Sequence, residues 1–125
     1  MGHPNEDQTR QGYDAFAKGD LETVGGFMAE DIVWHVLGRT RLSGEYRGRD
    51  EVFGYFATLV QEFGGTLRIE VHDVMANDVH AAALTTIRAE RIDQKGVDAY
   101  NMSNGKATEA WTFVEDQEEV AAILE

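Results

Sequence analysis

The chain has no cysteine, a single proline and few cations, and each scarcity removes a class of function. Without cysteine there is no disulfide, no thiolate metal site and no thiol nucleophile, and nothing calls for an oxidising compartment. Eleven lysines and arginines face 23 acidic residues, a formal net charge of -12. That balance repels phosphate backbones and anionic lipid, so neither nucleic acid nor a membrane is an expected partner. No apolar run approaches the roughly 20 residues of a membrane span, and the opening MGHPNEDQTRQ lacks the apolar core of a secretory signal; a cytoplasmic protein is expected. The thirteen glycines are dispersed, which predicts turns rather than a linker, and 125 residues suit one domain spanning 1–125.

Helices dominate the first half. Tyr13, Phe16 and Ala17 recur at helical spacing from about Asn5 to Lys18, and Gly19 offers a left-handed stop. Asp20 is placed to cap a second helix carrying Leu21, Val24, Phe27 and Met28. The stretch Asp31–Leu37, DIVWHVL, reads as a short buried strand in which Trp34 and His35 point to opposite faces. Asp50 is expected to cap a third helix whose Phe53, Phe56, Leu59, Val60 and Phe63 form the strongest apolar stripe in the chain. Strands over about Thr66–Ala76 and Val79–Arg91 follow, joined at Asn77-Asp78, and their turn sets Leu67, Ile69, Val71 and Met75 on one face. Asp116 with Glu119 spells a capping box for a short C-terminal helix.

The stretch Val97–Val114 is the chemical centre of the sequence. Asn104-Gly105 between alternating runs signals a two-residue hairpin turn, which pairs Ser103 with Lys106, Met102 with Ala107, Tyr100 with Glu109 and Asp98 with Trp111. One face then carries Asp98, Tyr100, Met102, Glu109, Trp111 and Phe113. The other carries Val97, Ala99, Asn101, Thr108, Ala110 and Thr112. Two carboxylates among large aromatics lose solvation, and a desolvated carboxylate gains pKa and becomes a usable base near neutral pH. Glu109 and Asp98 are therefore expected to be coupled within one pocket. His35 is either a base or hydrogen-bond donor, or a satisfied polar group of the core. The arginines Arg39, Arg41, Arg47 and Arg49 either meet an anion at the pocket mouth or neutralise the chain's own acids.

The succession AFAKGDLETV, AEDIVWHVLG, SGEYRGRDEVFGYF and NGKATEAWTF resembles the nuclear transport factor 2-like superfamily, in particular its SnoaL-like polyketide cyclase and ketosteroid isomerase-related branch. The resemblance covers nearly the whole chain. It implies an α+β, cone-shaped fold in which three N-terminal helices pack on a strongly curved, mostly antiparallel sheet around an apolar pocket, and a homodimer through the outer sheet face. Asp98 is similar to the isomerase's protonated oxyanion-binding aspartic acid. Tyr13 approximates its oxyanion tyrosine, one residue nearer the Gly19-Asp20 corner. The isomerase's first-strand base has no acidic counterpart, since Val36 or His35 stands there. Glu109 matches the last-strand acid of SnoaL-like cyclases and limonene epoxide hydrolase-like enzymes.

These observations suggest a protein for a small hydrophobic molecule that needs neither metal nor cofactor. It is expected to act by acid–base chemistry of the isomerase, cyclase or hydrolase type, with Glu109, Asp98, His35 and Tyr13 as the reacting groups. Phe16, Trp34 or His35, Phe56, Tyr100 and Trp111 are expected to line a cavity of about 300–1,000 Å³. The alternative is a non-catalytic ligand-binding or dimeric assembly module of the same fold.

Overall fold

A computed structural model describes residues 3–124. Helix α1 (Pro4–Lys18) starts where the His3 ring accepts the Asn5 amide, with Pro4 in the first turn, and stops at Gly19 with φ of 72°. Asp20 then caps α2 (Leu21–Phe27) through the Thr23 amide and hydroxyl, and both bonds hold its carboxyl below the usual carboxylate range. Strand β1 (Met28–Val36) follows at once, three residues earlier than the β-branched run alone predicts. After β2 (Gly44–Arg47) comes α3 (Arg49–Glu62), then β3 (Arg68–Ala76), β4 (His80–Ala89), β5 (Ile92–Ser103), β6 (Lys106–Val114) and α4 (Gln117–Leu124).

The strands form one sheet in the order β2-β1-β6-β5-β4-β3, antiparallel except where β1 lies parallel to β6. The first three helices pack on this sheet, α1 against β3 and β4, α2 against β1 and β6, and α3 against β1 and β2. The α+β class and the mostly antiparallel sheet agree with the expectation from sequence. Two helix details differ. Asp50 does not cap α3: Gly48, with φ of 84°, holds the N-cap position, and Asp50 lies within the first turn. In α4 the Asp116 carboxylate does accept the Glu119 amide at 3.1 Å, but Gln94, not Glu119, accepts the Asp116 amide. The buried Gln94 amide also donates to the Asp116 carbonyl and to Glu119 and so ties α4 to the sheet.

The register departs from the expectation at two bulges. In the β5–β6 hairpin Ser103 pairs with Lys106 and Met102 with Ala107, as the Asn104-Gly105 turn dictates. The next pair is Asn101 with Glu109, because Thr108 is an extra residue in β6, its hydroxyl donating to the Asn101 carbonyl. One inserted residue sends every later side chain of that strand to the other face. Tyr100 therefore sits opposite Ala110, and Asp98 opposite Thr112, while Glu109, Trp111 and Phe113 turn outward with Asn101, Ala99 and Val97. A second bulge between Val71 and Asp73 puts Ile69 and Val71 on the helix side and Met75, half exposed, on the outer side.

Two rows across the sheet show the outcome. Ala81, Tyr100, Ala110, Trp34 and Tyr46 run side by side under the helices, and small alanines leave room for the flanking rings. On the reverse face the neighbouring row is Ala82, Ala99, Trp111, His35 and Glu45. The hairpin face expected to carry Val97, Ala99, Asn101, Thr108, Ala110 and Thr112 is thus composed differently, since Ala110 and Thr112 point inward.

Candidate active site

A cavity of about 140 Å³ opens between the inner sheet face and the helices. It is smaller than the expected 300 Å³ or more. The reason is edge-on aromatic packing: Trp34 meets Phe56 at 5.2 Å and Tyr100 at 5.6 Å, and Phe16 meets Phe56 at 5.4 Å, all near perpendicular. A cavity of about 150 Å³ accepts one benzene ring, so this space suits a ligand of about that size without rearrangement. Tyr13, Phe16, Trp34, Phe56 and Tyr100 line it as expected, and of the pair Trp34 and His35 it is Trp34 that faces inward. Val120 and Leu124 of α4 contribute to the wall.

Asp98 is the one charged residue among the described residues that line this space. Strand β5 puts it on the same face as Tyr100, and α1 brings Tyr13 to both. Tyr13 Oη bonds Asp98 Oδ2 in a short contact and lies 2.6 Å from Tyr100 Oη. Trp34 Nε1 donates to Thr112 Oγ1 at 2.8 Å, and the Thr112 hydroxyl itself supports the Asp98 carboxylate. Burial pushes Asp98 above the usual carboxylate range, while the Tyr13 and Thr112 hydroxyls pull it part of the way back. Burial, and then the Asp98 charge, holds Tyr13 and Tyr100 well above the ordinary tyrosine value. Both phenols therefore stay protonated and serve as donors.

The cluster has two self-consistent proton arrangements. With Asp98 ionised, Tyr100 donates to Tyr13 and Tyr13 to the carboxylate. When Asp98 is protonated, its O–H can donate to Tyr13 and the chain reverses, freeing a phenolic O–H for a bound oxygen. A group that takes up a proton and a neighbouring O–H that is then free to hold an oxygen are the basis of acid–base work on a carbonyl compound.

Glu109, Trp111 and His35 do not belong to this cavity. The Thr108 bulge carries Glu109 to the outer face, where its Oε2 lies 2.7 Å from His35 Nε2 and its Oε1 accepts from Asn101 at 3.3 Å. His35 also lies 3.4 Å from Glu45 and stacks on Trp111 with ring centroids 5.2 Å apart. These side chains form a hydrogen-bonded cluster on the outer sheet face, outside the cavity. The expected electrostatic coupling of Glu109 with Asp98 is absent, because the two acids occupy opposite sides of the sheet. Of the arginines, Arg41 pairs with Glu62 at 3.0 Å and Arg47 with Glu45 at 3.1 Å, and Arg49 donates to the Met28 carbonyl. They serve the chain's own acceptors.

Among the lining residues that the sequence reading does not name, two bear on the chemistry. Thr112 was assigned outward by the unbulged register. Tyr55 lies off the phenylalanine stripe of α3, yet it is buried while Phe53 and Phe56 are only partly so. The pairing of Tyr100 with Ala110, large against small, is what distinguishes the true register from the unbulged one.

The SnoaL-like domain family matches residues 9–110. The uncharacterised protein Rv0034 of Mycobacterium tuberculosis is 30% identical over 115 residues, 88% of each chain. Among solved structures, Bal32a from a soil-derived mobile gene cassette superposes with a TM-score of 0.92 at 26% identity, covering 98% of this chain and 97% of that one. An NTF2-like protein of unknown function from Burkholderia pseudomallei gives 0.80 at 22% identity, with 98% of each chain covered. The putative polyketide cyclase IdmH from Streptomyces antibioticus gives 0.78 at 20% identity, covering 95% of this chain and 97% of that one. The last two share the fold. By sequence match and by architecture, the chain belongs to the SnoaL-like domain family within the NTF2-like fold.

Proposed function

We propose that this chain is a cytoplasmic, cofactor-independent enzyme that moves a proton on a small, uncharged, mostly apolar carbonyl compound or phenol. The observation that carries the reading is the Asp98–Tyr13–Tyr100 cluster in an otherwise apolar cavity. No lysine, arginine or histidine lines that cavity among the described residues, so an anionic ligand would meet Asp98 without compensation. In the step we propose, the ligand's C–H bond breaks, its proton passes to the Asp98 carboxylate, and its electron pair moves onto the carbonyl oxygen. That oxygen is held by a phenolic O–H that Asp98 no longer requires. The isomerase or cyclase outcome is set by where the pair returns.

The reading is tested with 4-ethylphenol in a Trp111→Phe background, which leaves Trp34 as the fluorescent reporter in the cavity wall. Saturable quenching of Trp34, weakened by Tyr13→Phe, is expected; emission that does not respond to the phenol would sink the proposal. A ligand-binding role without chemistry is the second reading, favoured by the presence of a single carboxylate in the cavity. Exchange of ligand protons separates the two. The proposal includes a homodimer through the outer sheet face, supported by Leu84 and Phe113, which are uncovered there at 37% and 44% exposure in one row with Val97. Sedimentation at micromolar concentration should give twice the chain mass, and a monomer would argue against it.

A further inference from the structure

Three tyrosines line the cavity: Tyr13, Tyr55 and Tyr100. Two of them spend their hydroxyls on each other and on Asp98. Tyr46, whose ring lies 4.7 Å from that of Tyr55, donates its own hydroxyl to the Leu42 carbonyl at 2.6 Å. Tyr55 differs from all of these. It is 7% exposed, and among the described residues its hydroxyl makes no hydrogen bond. A buried hydroxyl without a partner costs free energy, so such groups are normally satisfied. Every fully enclosed side-chain N or O among the described residues has a partner, so the unbonded Tyr55 oxygen must reach accessible space. Tyr55 lines the cavity with a side chain that is otherwise buried, so the cavity is the accessible space this hydroxyl meets.

We propose that the Tyr55 hydroxyl is a specificity-determining ligand contact, and that the molecule bound here carries a second oxygen acceptor, remote from the oxygen read by the Asp98–Tyr13–Tyr100 cluster. This rests on the proposed use of the cavity and narrows its ligand to a neutral compound of about one ring with two separated oxygens, such as a hydroxyketone or diketone. Burial, followed by the charges of Asp98 and Tyr46, pushes Tyr55 above the ordinary tyrosine value, so it acts as a donor. The acceptor it reads is then a carbonyl or ether oxygen. Tyr55 selects the ligand and positions it; it takes no part in the proton transfer.

The test is a cycle of two ligands and two proteins. The 3- and 4-ethylphenols and the matching 3- and 4-hydroxyacetophenones have nearly the same shape and differ in the acceptor oxygen. Binding of each to the wild type and to Tyr55→Phe is measured by calorimetry. Differences in phenol acidity act equally in both proteins and cancel in the cycle. At least one acetyl isomer is expected to lose about three- to tenfold in affinity on Tyr55→Phe, the range of one neutral hydrogen bond, while its ethyl partner changes little. Equal changes for ethyl and acetyl ligands in both isomer pairs would overturn the assignment. An unfolding midpoint for Tyr55→Phe below that of the wild type, with equal losses for both ligands, would likewise give the hydroxyl a structural role. If no phenol binds the wild type, the cavity reading itself fails, and this inference with it.

Discussion

Replacing Asp98 by asparagine is expected to abolish proton exchange on a bound ketone and to stabilise the fold at neutral pH. The assay is deuterium incorporation next to the carbonyl of a β,γ-unsaturated cyclic ketone, which needs a base and an oxygen donor but no knowledge of the natural substrate. Removing a positioned general base lowers the rate by about 100- to 10,000-fold. The amide preserves shape and one donor, so phenol affinity should stay within several-fold, and the loss should fall on kcat. In the wild type the rate should climb as pH rises through the Asp98 pKa, which burial has moved above the usual carboxylate range.

The same shift fixes the sign of the stability effect. The folded chain holds the Asp98 proton at pH values where the unfolded chain, titrating near 3.9, has released it. Between the two pKa values the folded state binds more protons, so stability falls as pH rises, and above both the full cost persists. Asp98→Asn should remove that slope from urea midpoints compared across about pH 4–8. A variant that exchanges protons at the wild-type rate would end the catalytic reading and leave the ligand-binding one. A variant no more stable than the wild type at pH 7 would show that the carboxylate's hydroxyl partners fully offset its burial.

Trp34→Ala carries the largest expected loss of stability. The ring is 6% exposed, packs edge-on against Phe56 and Tyr100, and donates to Thr112. Truncating a buried tryptophan costs about 3–5 kcal/mol, part of it from the cavity left behind and part from unpaired polar atoms. Against a total of about 5–15 kcal/mol this is enough to unfold a sizeable fraction of the chain on mild warming. Trp111→Phe on the outer face provides the contrast, with an expected change below about 1 kcal/mol, because the ring there stacks on His35 at a partly buried surface and phenylalanine keeps an aromatic ring in its place. Urea unfolding followed by far-ultraviolet circular dichroism measures both. Similar midpoints for the two variants would mean that the inner and outer faces are not distinguished as described.

Periodicity made the helices, the hairpin turns and the inward stripe of aromatics legible, because those depend on local spacing and capping. Gly19, Asp20 and Asn104-Gly105 act where the sequence predicts. Register was legible only as far as the ladder stayed regular. The turn correctly pairs Met102 with Ala107, and one residue later the extra Thr108 overrides it. Asp98, Tyr13, Tyr100, Phe16 and Phe56 line the cavity, since none depends on β6 for its orientation, and of Trp34 and His35, which alternation alone leaves open, Trp34 faces inward. Glu109 and Trp111 were misplaced for the converse reason. Tyr55 was missed because an apolar stripe ranks a helix position by hydrophobicity, whereas this position matters for the one atom that is not hydrophobic.

The Thr108 bulge also separates two kinds of lesion. A substitution at Glu109 or Thr112 alters one group and leaves its direction alone. Taking Thr108 into a regular ladder opposite Asn101 would keep every residue and exchange the two sides of the strand from Glu109 to Val114, bringing a second acid under the helices and turning Thr112 away from Asp98, whereas deleting Thr108 would leave the pairs Asn101–Glu109 and Asp98–Thr112 as they are. Which carboxylate this scaffold presents to its interior is thus stored in whether β6 bulges at Thr108 rather than in its composition, so two chains of this architecture can hold the same acids and do different chemistry.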